Sequence, residues 1–196
     1  MKTTIKKMIL LFLSVFLFAC TLSGCGSAES TDTPEETDTG TEAAAQAETV
    51  AYHPLSEGDA APDFTTALAD GSTFTLSEHQ GKVVLLNFWA TWCGPCVREM
   101  PAFEKLHTEY GEDAVILAVN CLEDTGTVDA FIEENGYTFP IAYDTEGSVS
   151  MRYPTQGIPY TLVIDGEGII QKIYVGAADA ETQYQEYKGA IDEITE

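Results

Sequence analysis

Val83-Val84-Leu85-Leu86-Asn87-Phe88-Trp89-Ala90-Thr91-Trp92-Cys93-Gly94-Pro95-Cys96 is the stretch that decides the fold. From Val83 to Trp89 every residue except Asn87 is apolar, which suits a strand buried on both faces. Beyond the cysteines, Met100, Phe103, Leu106 and Tyr110 recur at helical spacing. Pro95 suits the first turn of that helix, where a missing N–H is not needed and the fixed φ is already helical. Two cysteines therefore stand where a buried strand hands over to a helix.

That position makes Cys93 and Cys96 the candidate catalytic pair, with Trp92, Gly94 and Pro95 in support. A helix N-terminus carries roughly half a unit of positive charge and unpaired N–H groups, both of which favour a thiolate at Cys93. The two-residue spacing lets the second sulfur reach the first across one turn, so a mixed disulfide is resolved within the chain. In such motifs a thiol pKa falls from ~8.5 into a range of ~3.5–7.5. Cys93 is expected to attack and Cys96 to resolve. A structural zinc site wants four ligands, and His53, His79 and His107 show no ligand spacing near this single pair, so no metal is expected. A purely structural disulfide would not need Trp, Gly and Pro around it at a strand–helix junction.

Working outward, the segments Ala61–Phe64 and Ser72–Leu76 flank the turn Asp70-Gly71 and predict a short hairpin. Residues 114–120 predict a second buried strand, 128–135 a helix closed by Gly136, and 146–153 a short helix. Residues 160–164 and 169–175 predict two strands joined by Asp165-Gly166-Glu167-Gly168. Residues 180–195 predict a terminal helix with Tyr184, Tyr187 and Ile191 on one face. The class is α/β, a mixed central sheet in three layers with helices on both faces. Cys121 reads as a small buried hydrophobe, with a partner-pairing thiol as the alternative.

The N-terminus reads differently. Lys2, Lys6 and Lys7 precede an apolar run from Met8 to Ala19 that matches the core of an export signal and is short for a membrane span. Leu22-Ser23-Gly24-Cys25 resembles a bacterial lipobox, which makes residues 1–24 a lipoprotein signal peptide and Cys25 the lipidated residue. Cys20 is a weaker second candidate, since Phe18 is bulky for that role; a plain secretory signal is the alternative. Residues 25–55 form the lipidated Cys plus an acidic linker too poor in apolar residues to order itself. Residues 56–196 are the globular domain.

The chain has 196 residues, 32 Asp+Glu against 9 Lys+Arg, and a formal charge of −23. That balance excludes nucleic acid as a partner, because phosphates are attracted to Lys and Arg. No Gly-rich phosphate loop is present either, since Asp165–Gly168 is acidic and hairpin-like.

From Asn87 to Cys96 the sequence resembles the thioredoxin superfamily, and within it the membrane-tethered, extracytoplasmic TlpA/ResA-like branch; the resemblance covers Ser56 to Glu196. It implies a thioredoxin-like fold and a thiol–disulfide oxidoreductase whose redox centre is the Cys93–Cys96 disulfide, with no added cofactor. Asn87 stands where thioredoxin has a buried Asp that shuttles protons, and an amide cannot take that proton. Glu99 falls where the branch carries an acidic residue near the dithiol, implying proton management or raised thiol pKa values. Read from the sequence alone, Glu99 is an ordinary first-turn carboxylate. Pro101 matches the family's helix-kinking proline. Gly157-Ile158-Pro159-Tyr160-Thr161 resembles the cis-proline loop, which makes Ile158 and Pro159 the substrate-binding pair, Ile158 joining a client by strand addition. Tyr160 departs from the Thr usual there.

The resemblance further implies a protein disulfide reductase, lipid-anchored on the outer face of the cell membrane. Its clients would be disulfide-bearing proteins such as apocytochrome c, as in cytochrome c maturation. A transmembrane thiol donor of the CcdA/DsbD type would supply electrons, and the protein would work as a monomer. A disulfide-forming oxidase is the alternative in the same class. A peroxiredoxin-like peroxidase shares the opening Gly58–Phe64, but it wants Thr three residues before its reactive Cys, where Ala90 stands here. A non-catalytic adaptor would be indifferent to the loss of Cys93. Replacing Cys25 by Ala is expected to move the protein from the membrane fraction to the soluble one; retention in the membrane would contradict lipidation at that residue.

Overall fold

The computed structural model describes residues 53–195. The stretch expected to be a signal peptide, the expected lipidation site Cys25, Cys20 and the expected linker up to residue 52 lie outside the described residues. Among the described residues no helix is long and apolar enough to cross a membrane.

Among the described residues, seven strands and three α-helices follow one another as β1 (Thr65–Ala67), β2 (Thr73–Thr75), β3 (Val83–Trp89), α1 (Gly94–Tyr110), β4 (Ala114–Cys121), α2 (Thr125–Asn135), β5 (Ile141–Asp144), β6 (Tyr160–Ile164), β7 (Ile170–Val175) and α3 (Ala180–Thr195). β1 and β2 form a separate antiparallel pair; the main sheet has the order β5-β4-β3-β6-β7. β3, β4 and β5 run parallel, while β6 runs antiparallel to both β3 and β7.

The alternation within β3 divides the core. Val83, Leu85 and Trp89 face one way, packing with Met100, Phe103 and Tyr187 of the helices. Val84, Leu86 and Phe88 face the other way, against Phe64, Phe74 and Tyr153. Both successive parallel crossovers wind in the same direction, so the right-hand rule puts α1 and α2 on the same face. α3 joins them there: Tyr187 stacks on Phe103 with ring centroids 5.6 Å apart. The mixed sheet flanked by helices is as expected, but the α-helices share one face. The opposite face is covered by the hairpin and by single 3-10 turns at Leu76–His79 and Ser150–Arg152.

The hairpin begins later than Ala61. Thr65 pairs with Thr75 and Ala67 with Thr73. The residues before Thr65 have other bonds: the Ala61 N–H goes to the Gly168 carbonyl, Pro62 has no N–H, and the Asp63 carboxylate accepts from Phe64 and Ser77. The strand β5 has no counterpart in the sequence reading. It is four residues long and leans on β4, Ala118 pairing with Ile141 and Cys121 with Asp144. The helix expected over 146–153 is reduced to its 3-10 turn, because the buried Asp144 carboxylate organises the segment by accepting the N–H groups of Val149 (2.9 Å) and Ser150 (2.7 Å).

Two glycines separate close approach from empty space. A Cβ on Gly166 would lie 2.9 Å from the Gly81 Cα, backbone against backbone, whereas Gly189 inside α3 has nothing within 4 Å of an added Cβ. Gly166→Ala should therefore cost ~1–3 kcal/mol and Gly189→Ala should gain ~0.5–1 kcal/mol in urea unfolding. Equal effects from the two would contradict the packing described.

Candidate active site

The C-terminal ends of β3, β4 and β5 and the start of β6 meet at one end of the sheet, the end at which open α/β sheets place their ligands. Trp92 and Cys93 leave β3 there. Cys93 is the N-cap of α1, with extended backbone, and Pro95 lies in the first turn, as the sequence predicts. Cys93 and Cys96 are joined by a disulfide. The Cys96 N–H points at the Cys93 Sγ from 3.3 Å, so the capping oxygen usual at this position is replaced by sulfur. The first turn of α1 carries no acidic residue to oppose a thiolate.

The two sulfurs are not equivalent. Cys96 is fully buried, whereas Cys93 keeps 5% of its surface, beside Trp92 at 73% exposure. The Ile158 carbonyl oxygen stands 3.7 Å from the Cys93 Sγ, across a cis Ile158–Pro159 bond. As a thiol Cys93 would donate to that oxygen; as a disulfide it has no proton to give. The structure thus brings Cys93, Cys96, Trp92, Gly94, Pro95, Ile158 and Pro159 together.

Behind the disulfide lies a buried polar cluster. Glu99 follows Cys96 by three residues, on the same side of α1, and is fully buried. Its carboxyl accepts from Asn87 Nδ2 at 3.1 Å and from the Tyr187 hydroxyl at 2.8 Å. Asn87 Nδ2 also donates to Thr161 Oγ1 at 2.9 Å, across directly paired positions of β3 and β6. Burial raises the Glu99 carboxyl, against the two donors that lower it, to about 7. The reading of Glu99 as an ordinary first-turn carboxylate is overturned: the residue is fully buried and is met by donors from two other elements. Asn87 Oδ1 has no partner among the described residues, so the amide acts here as a donor alone. Pro101 lies inside α1, which continues past it to Tyr110.

Sequence reasoning missed Thr161, Tyr187 as a donor, and Glu123. Glu123 follows β4 and accepts from the Thr91 N–H and from Asn120 Nδ2, both at 2.7 Å, and also from the Thr91 hydroxyl, which pins the loop leading to Cys93. Its position just past a parallel strand end was the available signal. Cys121 is a free thiol, half-buried, pushed up to about 12 by burial and by the charges of Asp144 and Glu123, which fits the small-hydrophobe reading. Among the described residues no group of His, Cys, Asp and Glu could hold a metal ion.

With this geometry in hand, comparison with known proteins is specific. The Redoxin family model matches residues 56–191. The chain is similar to the thioredoxin-like protein YneN of Bacillus subtilis, 42% identical over 125 residues, 62% of this chain and 73% of that protein. It is also similar to the thiol-disulfide oxidoreductase ResA of Oceanobacillus iheyensis, 44% identical over 125 residues, 61% of this chain and 65% of that protein. Among solved structures, one described as a thiol:disulfide interchange protein DsbE from Chlorobium tepidum superposes with a TM-score of 0.64 at 32% identity, over 70% of this chain and 99% of that one.

The Glu99 environment has a measurable consequence. The folded protein holds a proton on Glu99 up to about pH 7, whereas the unfolded chain releases it near the ordinary glutamate value of 4.5. The folded state therefore binds more protons in that window. The stability this group contributes is complete below pH 4.5 and is lost as pH rises through about 7. The loss is on the order of 3 kcal/mol. Urea unfolding of the oxidised protein should show that decline, and Glu99→Gln should flatten it; parallel pH profiles for the two proteins would contradict the assignment.

Proposed function

The chain belongs to the Redoxin family, and on that premise we propose that it is a thiol-disulfide oxidoreductase working as a protein disulfide reductase, held outside the cytoplasm by a lipid on Cys25. The observation that carries the reading is the asymmetric pair: Cys93 caps α1 and keeps a small exposed face, while Cys96 is fully buried one turn behind it.

In the reduced protein the Cys93 thiolate attacks one sulfur of a client disulfide. A mixed disulfide forms and the client's other sulfur leaves as a thiolate. Cys96, deprotonated, then attacks the Cys93 Sγ; the client's second sulfur leaves, and the Cys93–Cys96 disulfide closes. Two electrons pass to the client, whose two thiolates take up protons. Cys96 has to lose its proton in a dry site, and Asn87 cannot accept it. Glu99 is the buried carboxyl on the same face of α1, and its raised pKa lets it exchange a proton near neutral pH. While Glu99 is ionised, its charge opposes a second negative charge on the dithiol and raises the cysteine pKa values. Tyr187 and Asn87 are positioning residues that hold its two oxygens.

The Ile158 backbone beside Cys93 offers an extended client main-chain groups to pair with. Re-reduction needs a dithiol donor across the membrane, of the CcdA/DsbD type. The client class is a protein disulfide, with an apocytochrome c Cys pair as one member, and the protein acts as a monomer.

Replacing Cys96 by Ser should leave a client joined to Cys93 as a stable mixed disulfide, recoverable from cells and released by dithiothreitol. A reduction potential near ~−270 mV is expected for the intact pair, and one near ~−120 mV would reverse the direction to oxidation. Failure of the Cys96→Ser protein to trap any partner would sink the proposal.

A further inference from the structure

The described residues carry six cations, Lys82, Arg98, Lys105, Arg152, Lys172 and Lys188. Each lysine is paired with a carboxylate: Lys82 with Glu112, Lys105 with Glu181, Lys172 with Glu193, and Lys188 with both Glu109 and Asp192. Arg152 donates from Nη1 to the Asp63 carbonyl at 2.7 Å. Arg98 differs from all of these. It is exposed, and it has no ion pair or hydrogen bond among the described residues.

Its place is the mouth of the redox site. A helical side chain leans back toward the N-terminus of its helix, and Arg98 does so: its Nη1 lies 3.7 Å from where a Cβ on Gly94 would stand. Gly94 directly follows Cys93 and has no side chain, so the guanidinium lies over the start of α1 without obstruction. The helix dipole gives no reason for a cation there, since it disfavours positive charge toward the helix N-terminus. The carboxyls of the site are committed elsewhere. Glu99 is turned into the core and held by Asn87 and Tyr187, while Glu123 is taken by Thr91 and Asn120. The first turn of α1 holds no acid.

We propose that Arg98 selects clients by binding a carboxylate that flanks the disulfide attacked by Cys93. This rests on the reading of Cys93 as the attacking thiol, and it names a class of client within it: a disulfide with an acidic neighbour. A guanidinium presents a planar fork of donors that matches a carboxylate, and such charge-assisted pairs are directional. The chain has 32 acidic residues against 9 basic ones. A client's acid is therefore repelled by most of this surface and attracted at one spot beside the reactive sulfur. The pair then fixes how the client docks as well as which client is taken. A Lys or Arg at the same client position would meet a like charge and be rejected.

The test uses the reduced full chain in detergent at ~0.15 M salt, where exposed charges more than about 8 Å apart are largely screened. Peptide disulfides carry Asp or the isosteric Asn on the N-terminal or the C-terminal side of the cysteine. Each rate is normalised to the same protein's rate with neutral 2-hydroxyethyl disulfide. At one of the two flanks the Asp-to-Asn rate ratio should be about three-fold higher for the native chain than for Arg98→Gln, the scale of one exposed ion pair. In Arg98→Glu the ratio should fall further. Arg98 is exposed and unbonded, so both variants keep the fold. The same ratio in native and Arg98→Gln proteins at both flanks would overturn the proposal. So would an Arg98→Gln protein slowed equally toward every disulfide, the neutral one included, because that assigns the guanidinium to the Cys93 thiolate instead. A native chain inert even toward 2-hydroxyethyl disulfide would overturn the redox reading itself, and this inference with it.

Discussion

Cys93 ends a fully buried strand and begins a helix, and its sulfur takes the place of the oxygen that usually caps such a helix. Everything at the site depends on that one junction. β3 is buried along its whole length, so its C-terminal end is held from both faces. Pro95 then commits the chain to helix within two residues, which leaves the first cysteine at the rim and turns the second inward. The same dipole that organises the helix favours negative charge on the sulfur at its N-cap. Asymmetry between two identical side chains thus arises from backbone geometry, with no need for a different chemical group beside each.

The buried carboxyl behind the pair answers a second constraint. A sulfur with no exposed surface has no water to carry its proton away, so the proton must go to a group already inside. In the proposed mechanism that group is Glu99, three residues along α1, and its two oxygens are held by donors from β3 and α3. Burial lifts its pKa and the two donors restrain the rise, and the balance falls near neutrality. Burial also pushes the Tyr187 phenol up, as does the neighbouring Glu99 charge, which keeps Tyr187 a donor throughout. The cluster costs stability at neutral pH, a familiar exchange between stability and chemistry.

Much of this was legible in the sequence because the deciding features are local. The run Val83–Trp89, the Cys-x-x-Cys with its proline and the helical spacing after it lie within about thirty residues, and β6, β7 and α3 carried equally clear patterns. What was not legible is non-local. β5 is four residues long and is defined by its register on β4. The hairpin starts after Phe64 because the groups before it are bonded to Gly168 and Ser77 instead. The sequence alone makes Glu99 an ordinary first-turn carboxylate; the family resemblance placed it near the dithiol, and the donor that meets it in the interior, Tyr187, lies 88 residues away. The 3-10 turn at Ser150–Arg152 depends on the buried Asp144 carboxylate, which no periodicity marks.

The most direct test of the central claim is alkylation of the reduced, folded full chain, mapped residue by residue by mass spectrometry between pH 5 and 10. The account predicts that Cys93 takes the label first at every pH, while Cys96 and Cys121 react only after unfolding. Labelling of Cys96 or Cys121 before Cys93 would contradict it.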